Sequence, residues 1–211
     1  MVGSLITFEG IDGSGKSTQI QMLEHEFNKL GVGYKTFREP GGTELSEKIR
    51  EILLDKENIE LISTAESLLF AAARAQLTAE QIKPAIEKGK FVICDRFTDS
   101  TIAYQGYGRG LDIKQLEEIN YIATDGLTPD ITFILDISPE AAAVRMKAEV
   151  SDRMEETGVE FFRRIRGGYR QIKDQNPNRY RLINGEQSPE NVFNEIKEII
   201  VKQFEEVLIC S

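Results

Sequence analysis

The chain predicts an α/β fold: a five-stranded parallel sheet covered on both faces by helices. Three observations point there. Five short apolar runs alternate with helical patterns over 211 residues. Residues 10–17 read Gly-Ile-Asp-Gly-Ser-Gly-Lys-Ser, a complete G-x-x-x-x-G-K-[ST] phosphate-binding loop between an apolar run and a helical pattern. No internal repeat, low-complexity tract or long linker divides the sequence, so one domain suffices.

The strands are predicted at Leu5–Phe8, Gly33–Phe37, Phe91–Asp95, Ile131–Asp136 and Arg179–Ile183. The first, third and fourth are rich in Ile, Val, Phe and Leu, as buried parallel strands are. The second and fifth are more polar and suit edges. Helices are expected at about 16–30, 43–54, 62–88, 112–125, 138–148, 158–174 and 188–208. Gly31 and Gly89 follow helical runs as stop signals. Ser138-Pro139 and Ser188-Pro189 set a capping hydroxyl before proline at the first helical position. Alternation of strand and helix implies right-handed crossovers. The stretch Lys147–Gly158 is charged and nearly free of large apolar residues, and reads as an exposed loop able to close over a ligand.

Formal net charge is -9. That disfavours a grip on nucleic acid, which needs a basic face. Two cysteines, Cys94 and Cys210, lack metal-ligand spacing; Cys94 reads as core. Neither a signal segment nor a membrane span is evident, and the expected location is cytoplasmic. The only histidine, His25, sits between Glu24 and Glu26 and reads as surface.

The loop defines a chemistry. Gly10, Gly13 and Gly15 allow positive φ and close approach of backbone N–H groups to an anion. Lys16 reaches the β- and γ-phosphates of a nucleotide, and the Ser17 hydroxyl suits Mg²⁺. Asp95 ends a strand where ligands of parallel sheets bind, so it either helps hold that Mg²⁺ or caps a helix. Asp136 also ends a strand, but the helix start at Ser138-Pro139 accounts for it. Arg38 and Arg96 follow predicted strands, and their guanidinium forks suit a second phosphate. Phe70 and Arg74 are four apart and share a helix face; periodicity alone reads Phe70 as core. Asp12 is an odd carboxylate for an anion cradle: it either meets a hydroxyl or cation, or faces outward.

Residues 8–18, Phe-Glu-Gly-Ile-Asp-Gly-Ser-Gly-Lys-Ser-Thr, resemble the start of thymidylate kinases. So do Arg38-Glu39-Pro40-Gly41-Gly42-Thr43, Asp95-Arg96-Phe97-Thr98-Asp99-Ser100 and Ala103-Tyr104-Gln105-Gly106-Tyr107-Gly108-Arg109-Gly110, the last close to bacterial members. The likeness continues through Asp125-Gly126-Leu127-Thr128-Pro129-Asp130 into the last helices. It implies a P-loop NTP hydrolase-like three-layer fold with nucleoside monophosphate kinase architecture. The single domain 1–211 would carry the phosphate loop at 10–18, an acceptor-binding region at about 38–109 and a small lid at about 147–158.

The activity this resemblance implies is ATP-dependent phosphorylation of dTMP to dTDP with Mg²⁺. ATP would lie on Gly10, Ile11, Asp12, Gly13, Ser14, Gly15, Lys16, Ser17 and Thr18, with Arg145 near adenine or serving as a lid cation. Ser17 and Asp95 would hold the metal. The dTMP set would be Asp12, Arg38, Phe70, Arg74, Arg96, Ser100, Thr101, Tyr104 and Gln105. In that set Phe70 stacks on thymine, Arg74 donates to a ring carbonyl, and Tyr104 packs beside the sugar. The loop interior Asp12-Gly13-Ser14 lacks the arginine that some members place there. The bacterial pattern supplies it from the lid, where Asp152-Arg153-Met154-Glu155 makes Arg153 the candidate. Lys16, Arg153, Asp95 and Arg96 are the expected catalytic residues. Relatives are homodimers packed through long helices, here 62–88 and 112–125. A kinase for another acceptor and a partner-regulated P-loop switch are the competing readings.

Overall fold

The computed structural model describes residues 3–146 and 158–205. Five parallel strands, β1 (Leu5–Glu9), β2 (Tyr34–Arg38), β3 (Phe91–Asp95), β4 (Ile131–Asp136) and β5 (Tyr180–Asn184), run in the order β2-β3-β1-β4-β5. The two polar strands are the edges and the three apolar ones the centre, as burial on both faces requires.

Period-two alternation sorts the side chains. Ile6, Phe8, Phe133 and Leu135 enter one core cluster with α1 (Lys16–Leu30) and α9 (Pro189–Gln203), through Leu23, Phe27, Ile196 and Ile200. Leu5, Thr7 and Glu9 belong to the opposite face. There Thr7 and Thr132 bond hydroxyl to hydroxyl at 2.7 Å. That face is covered by α3 (Ser63–Leu77), α4 (Lys83–Glu87), α5 (Thr98–Thr101) and α8 (Val159–Gln175). The helices α2 (Glu44–Leu54), α6 (Ile113–Thr124) and α7 (Pro139–Met146) complete the shell.

The helix signals act as read. Gly31 takes φ 71° and its N–H returns to the end of α1. Ser138 and Ser188 accept N–H bonds from Ala141 and Asn191, each at 3.3 Å. Two elements depart from expectation. The helix expected over 62–88 is interrupted between α3 and α4 by a π-helical turn, Thr78–Ile82. Pro84 has no N–H to give to the preceding turn, so the ladder widens just before it. A helix not foreseen spans α5 and continues as the π-helical segment Ile102–Gly108. Its β-branched residues and glycines are poor helix formers. Burial on several sides and a cap supplied from β1 override that preference.

At the far ends, α9 stops at Gln203 short of the expected 208, and residues 206–208 fall outside the described part. Most of the stretch 147–158, including Arg153, also lies outside it. Among the described residues no helix is long and apolar enough to cross a membrane. Cys94 is a buried free thiol, and His25 is exposed.

Candidate active site

The phosphate loop joins β1 to α1. Gly10 adopts φ 136°, and a Cβ there would stand 2.6 Å from the Leu135 carbonyl, so only glycine fits. Lys16 is buried and donates to the carbonyls of Gly10 and Ile11 at 3.3 and 3.2 Å. Burial pushes its ammonium below the usual lysine range, the Arg96 charge adds to that, and Asp95, Asp12 and Glu9 oppose it. The Ser17 hydroxyl donates to Asp95 Oδ2 at 3.3 Å. Asp12, Gly13, Gly15, Lys16, Ser17 and Thr18 line one cavity with Arg38, Asp95, Arg96 and Arg145. Ser14, Gly15, Thr18 and Arg145 line a neighbouring one toward Gly185 and Gln187. Arg145 reaches over the loop, donating to Gly13 O at 3.4 Å and Gly185 O at 2.9 Å. Gly10 and Ile11 line a separate small cavity behind the loop with Ile134 and Leu135.

Ser17 and Asp95 supply hard oxygen atoms at one rim of the phosphate cavity. Mg²⁺ in phosphate sites takes one or two protein oxygens and completes its shell with phosphate and water, so this pair fits it. No cluster of three His, Cys, Asp or Glu side chains suited to a metal occurs among the described residues.

A second cavity adjoins the first. Asp12, Glu39, Arg50 and Arg96 line both, and Pro40, Leu54, Phe70, Arg74, Ser100, Thr101, Tyr104 and Gln105 complete the second. The dTMP residues expected from the sequence therefore meet here, except Arg38. Arg38 lines the phosphate cavity and is held by Glu47, with both contacts at 3.1 Å.

Arg96 ties the two halves together. Its backbone sits at φ 71°, a left-handed conformation uncommon for a residue with Cβ. Nη1 donates to Gly10 O at 3.0 Å and Ser100 Oγ at 3.3 Å; Nη2 donates to Asp12 Oδ1 at 2.6 Å and Tyr104 OH at 3.0 Å. The guanidinium also lies 4.9 Å from the Tyr104 ring centroid. Asp12 thus faces inward. Burial alone would raise its pKa, but Arg96 and Lys16, with hydrogen bonds from Arg96 and Tyr104, hold it at about 2.

Glu9 lies beneath Arg96, fully buried. Its Oε1 accepts the N–H groups of Phe97 (2.8 Å) and Ser100 (3.2 Å), capping α5. Its Oε2 accepts from Ser100 Oγ (2.5 Å) and Tyr169 OH (2.8 Å). Burial, reinforced by the Asp99 charge, lifts this carboxyl to about 7 against the pull of Arg96. Ser100 lines the cavity, yet its hydroxyl is spent on Glu9.

Arg74 is buried and spans three elements. Nε donates to Glu39 Oε2 (2.7 Å), Nη1 to Thr101 Oγ1 (2.9 Å) and Asn120 Oδ1 (2.6 Å), and Nη2 to Phe97 O (3.0 Å). These bonds use four of its five N–H donors, leaving one on Nη2. Burial raises the Glu39 carboxyl although Arg74 draws it down, and Glu39 Oε1 has no partner among the described residues.

Sequence reasoning missed Arg50, Glu66 and Tyr169, and gave Glu39 no role. Arg50 sits on α2 among charges of both signs, where nothing singles it out. Tyr169 continues the apolar stripe Phe161, Ile165, Ile172 and reads as core. Glu66 had a usable signal: 66, 70 and 74 form one stripe at helical spacing. Asp136 accepts from Arg166 at 2.7 and 2.9 Å and from Arg170 at 2.8 Å, a structural role.

The family model described as thymidylate kinase matches residues 8–196. The chain is 50% identical over 212 residues to the thymidylate kinase of Chlorobium luteolum, covering 96% of this chain and 97% of the relative. It is 47% identical over 210 residues to that of Pelotomaculum thermopropionicum, covering 99% and 95%. Its fold is similar to the crystal structure of thymidylate kinase from Ehrlichia chaffeensis, with TM-score 0.78 and 38% identity over 95% of this chain and 99% of that one.

Proposed function

Because the chain belongs to the thymidylate kinase family, we propose that its two adjoining cavities hold the donor and acceptor of one phosphoryl transfer. The enzyme is a nucleoside monophosphate kinase that transfers the terminal phosphoryl group of ATP to dTMP, giving dTDP for nucleotide biosynthesis. The observation that carries the site assignment is the shared wall of Asp12, Glu39, Arg50 and Arg96. Two ligands seated in these cavities meet at that wall, which is what in-line transfer needs.

ATP lies along residues 10–18, with Lys16 at its phosphates and Arg145 on the adenine side. Ser17 and Asp95 would hold Mg²⁺, which when bound would supply positive charge to screen the phosphate oxygens. The dTMP base enters beside Phe70, with Arg74 and Gln105 on its edge and Thr101 behind Arg74. Its phosphate faces Arg38 and Arg96. The terminal N–H groups of Arg96 are already bonded, which leaves Nε for the acceptor phosphate. Tyr104 and Asp12 take the sugar end. The acceptor oxygen is ionised, so no general base is needed; positioning and charge do the work. We assign the stretch 147–158 as the lid and Arg153 as the cation that steadies the moving phosphoryl group.

We also place the enzyme in the cytoplasm, where the free Cys94 thiol suits a reducing medium. A homodimer through α3 and α6 is supported by exposed Leu68, Tyr121 and Ile122 on those helices.

A coupled assay with wild type and Arg153→Ala, run on dTMP, dUMP, dCMP and UMP, tests this reading. Wild type should prefer dTMP, and the variant should lose roughly 10²–10³-fold in kcat with the dTMP KM little changed. Equal use of all four acceptors, or an unchanged kcat, would refute the corresponding assignment.

A further inference from the structure

We infer that Glu66 fixes which end of the Gln105 amide meets the acceptor base, and so makes this site favour a ring edge bearing an N–H donor, thymine or uracil, over cytosine. The inference rests on the placement of the base beside Phe70. An amide has two unlike ends, a carbonyl that accepts and an NH₂ that donates. Which end faces a ligand decides which base edge is welcome.

Glu66 settles that choice here. It is buried, at 1% exposure, and paired with Arg109, whose Nε and Nη2 reach its two oxygens at 3.4 and 3.3 Å. A carboxylate facing a guanidinium offers acceptors only. Gln105 must therefore turn its NH₂ toward Glu66, and Nε2 donates to Glu66 Oε1 at 3.0 Å. Its carbonyl Oε1 is the end left over. Among the described residues no donor is recorded on that oxygen, and Gln105 is part of the wall around the acceptor cavity.

The rest of the wall supplies the complement. Arg74 keeps one N–H on Nη2 beyond its four protein bonds. One donor and one acceptor in the same cavity match a carbonyl beside an N–H, the edge of thymine and uracil. Cytosine presents an amino group beside a bare ring nitrogen. It would set donor against donor at Arg74 and lone pair against lone pair at Gln105. Buried polar groups left mismatched are costly, which is how such a site rejects the wrong ring. Glu66, Phe70 and Arg74 sit at i, i+4 and i+8 of α3, so one helix stripe carries the orienting group, the stacking face and the donor.

Glu66→Gln tests this directly, because a glutamine at 66 can face Gln105 with either end and frees the amide to turn over. We expect the ratio of kcat/KM for dTMP to that for dCMP to fall roughly tenfold or more. The change should fall on KM rather than kcat, with dUMP following dTMP. A merely structural role would lower thermal stability and depress both substrates alike; an unchanged ratio overturns the inference. If wild type itself fails to favour dTMP over dCMP, the base placement fails first. Should Glu66→Gln not fold, Gln105→Met removes both amide ends: preserved discrimination would overturn the inference, and its collapse would support it.

Discussion

The phosphate cavity and the acceptor cavity share four wall residues yet are built in opposite ways. The loop is one contiguous segment in which glycine geometry and main-chain groups shape the surface, and even Lys16 rests on carbonyls of its own loop. The acceptor cavity is assembled mostly from side chains of α2, α3, α5, the π-helical segment after it and the loop after β2, joined by bonds that span tens of residues. It is also the tighter of the two, about 100 Å³ against about 490 Å³. The difference suits their ligands. A triphosphate asks for many N–H groups in a curved row; a flat ring asks for a narrow slot with a few fixed polar atoms. Damage to the acceptor side should therefore register in folding, and damage to the loop in turnover.

The strongest test of that contrast is Arg74→Ala. It strands the Glu39 carboxylate, already short of one partner, in a buried setting. A loss of about 3–5 kcal/mol in urea unfolding is expected, as for a broken buried pair; a loss under about 1 kcal/mol would mean the pair does not support the cavity. Lys16→Ala is the counterpart. It should lower kcat roughly 10²–10³-fold while the unfolding midpoint barely moves, and a large stability loss would erase the distinction between the two regions.

The smallest effect concerns Glu9, which lies under both. Its carboxyl titrates at about 7 in the fold against 4.5 as a free side chain. The folded state then holds a proton that the unfolded chain gives up. That stabilisation is complete below about pH 4.5 and is lost as pH rises through 7. Wild type should weaken relative to Glu9→Gln by ~1 kcal/mol per pH unit between pH 5 and 7, read from urea midpoints. A difference that grows in the opposite direction would show that Arg96 governs this carboxylate.

The same contrast explains what the sequence made readable. The strands, their central or edge positions and the serine-proline helix starts are local signals, and each sits where the pattern placed it, the two edge strands one residue later than expected. The phosphate loop is local too. The helix over 98–108 was invisible because its cap, Glu9, is 88 residues from the N–H of Phe97 that it accepts. Its internal composition argues against a helix. Gln105 and Ser100 illustrate the limit at the level of single residues: both line the cavity. Only the distant Glu66 and Glu9 decide that one keeps a carbonyl available while the other has its hydroxyl engaged. Arg153 rests on resemblance alone, since it lies outside the described residues.

The left-handed backbone at Arg96 has a consequence for which replacements this position tolerates. Glycine would relax the chain, by about 1–3 kcal/mol at most, but would delete the fork that holds Gly10, Asp12, Ser100 and Tyr104. Lysine would keep a charge and the strained backbone but replace a planar fork by a point. Asparagine would accept the backbone and reach none of the partners. The demands of main chain and side chain at this position thus point to different amino acids, and none of these three replacements meets both.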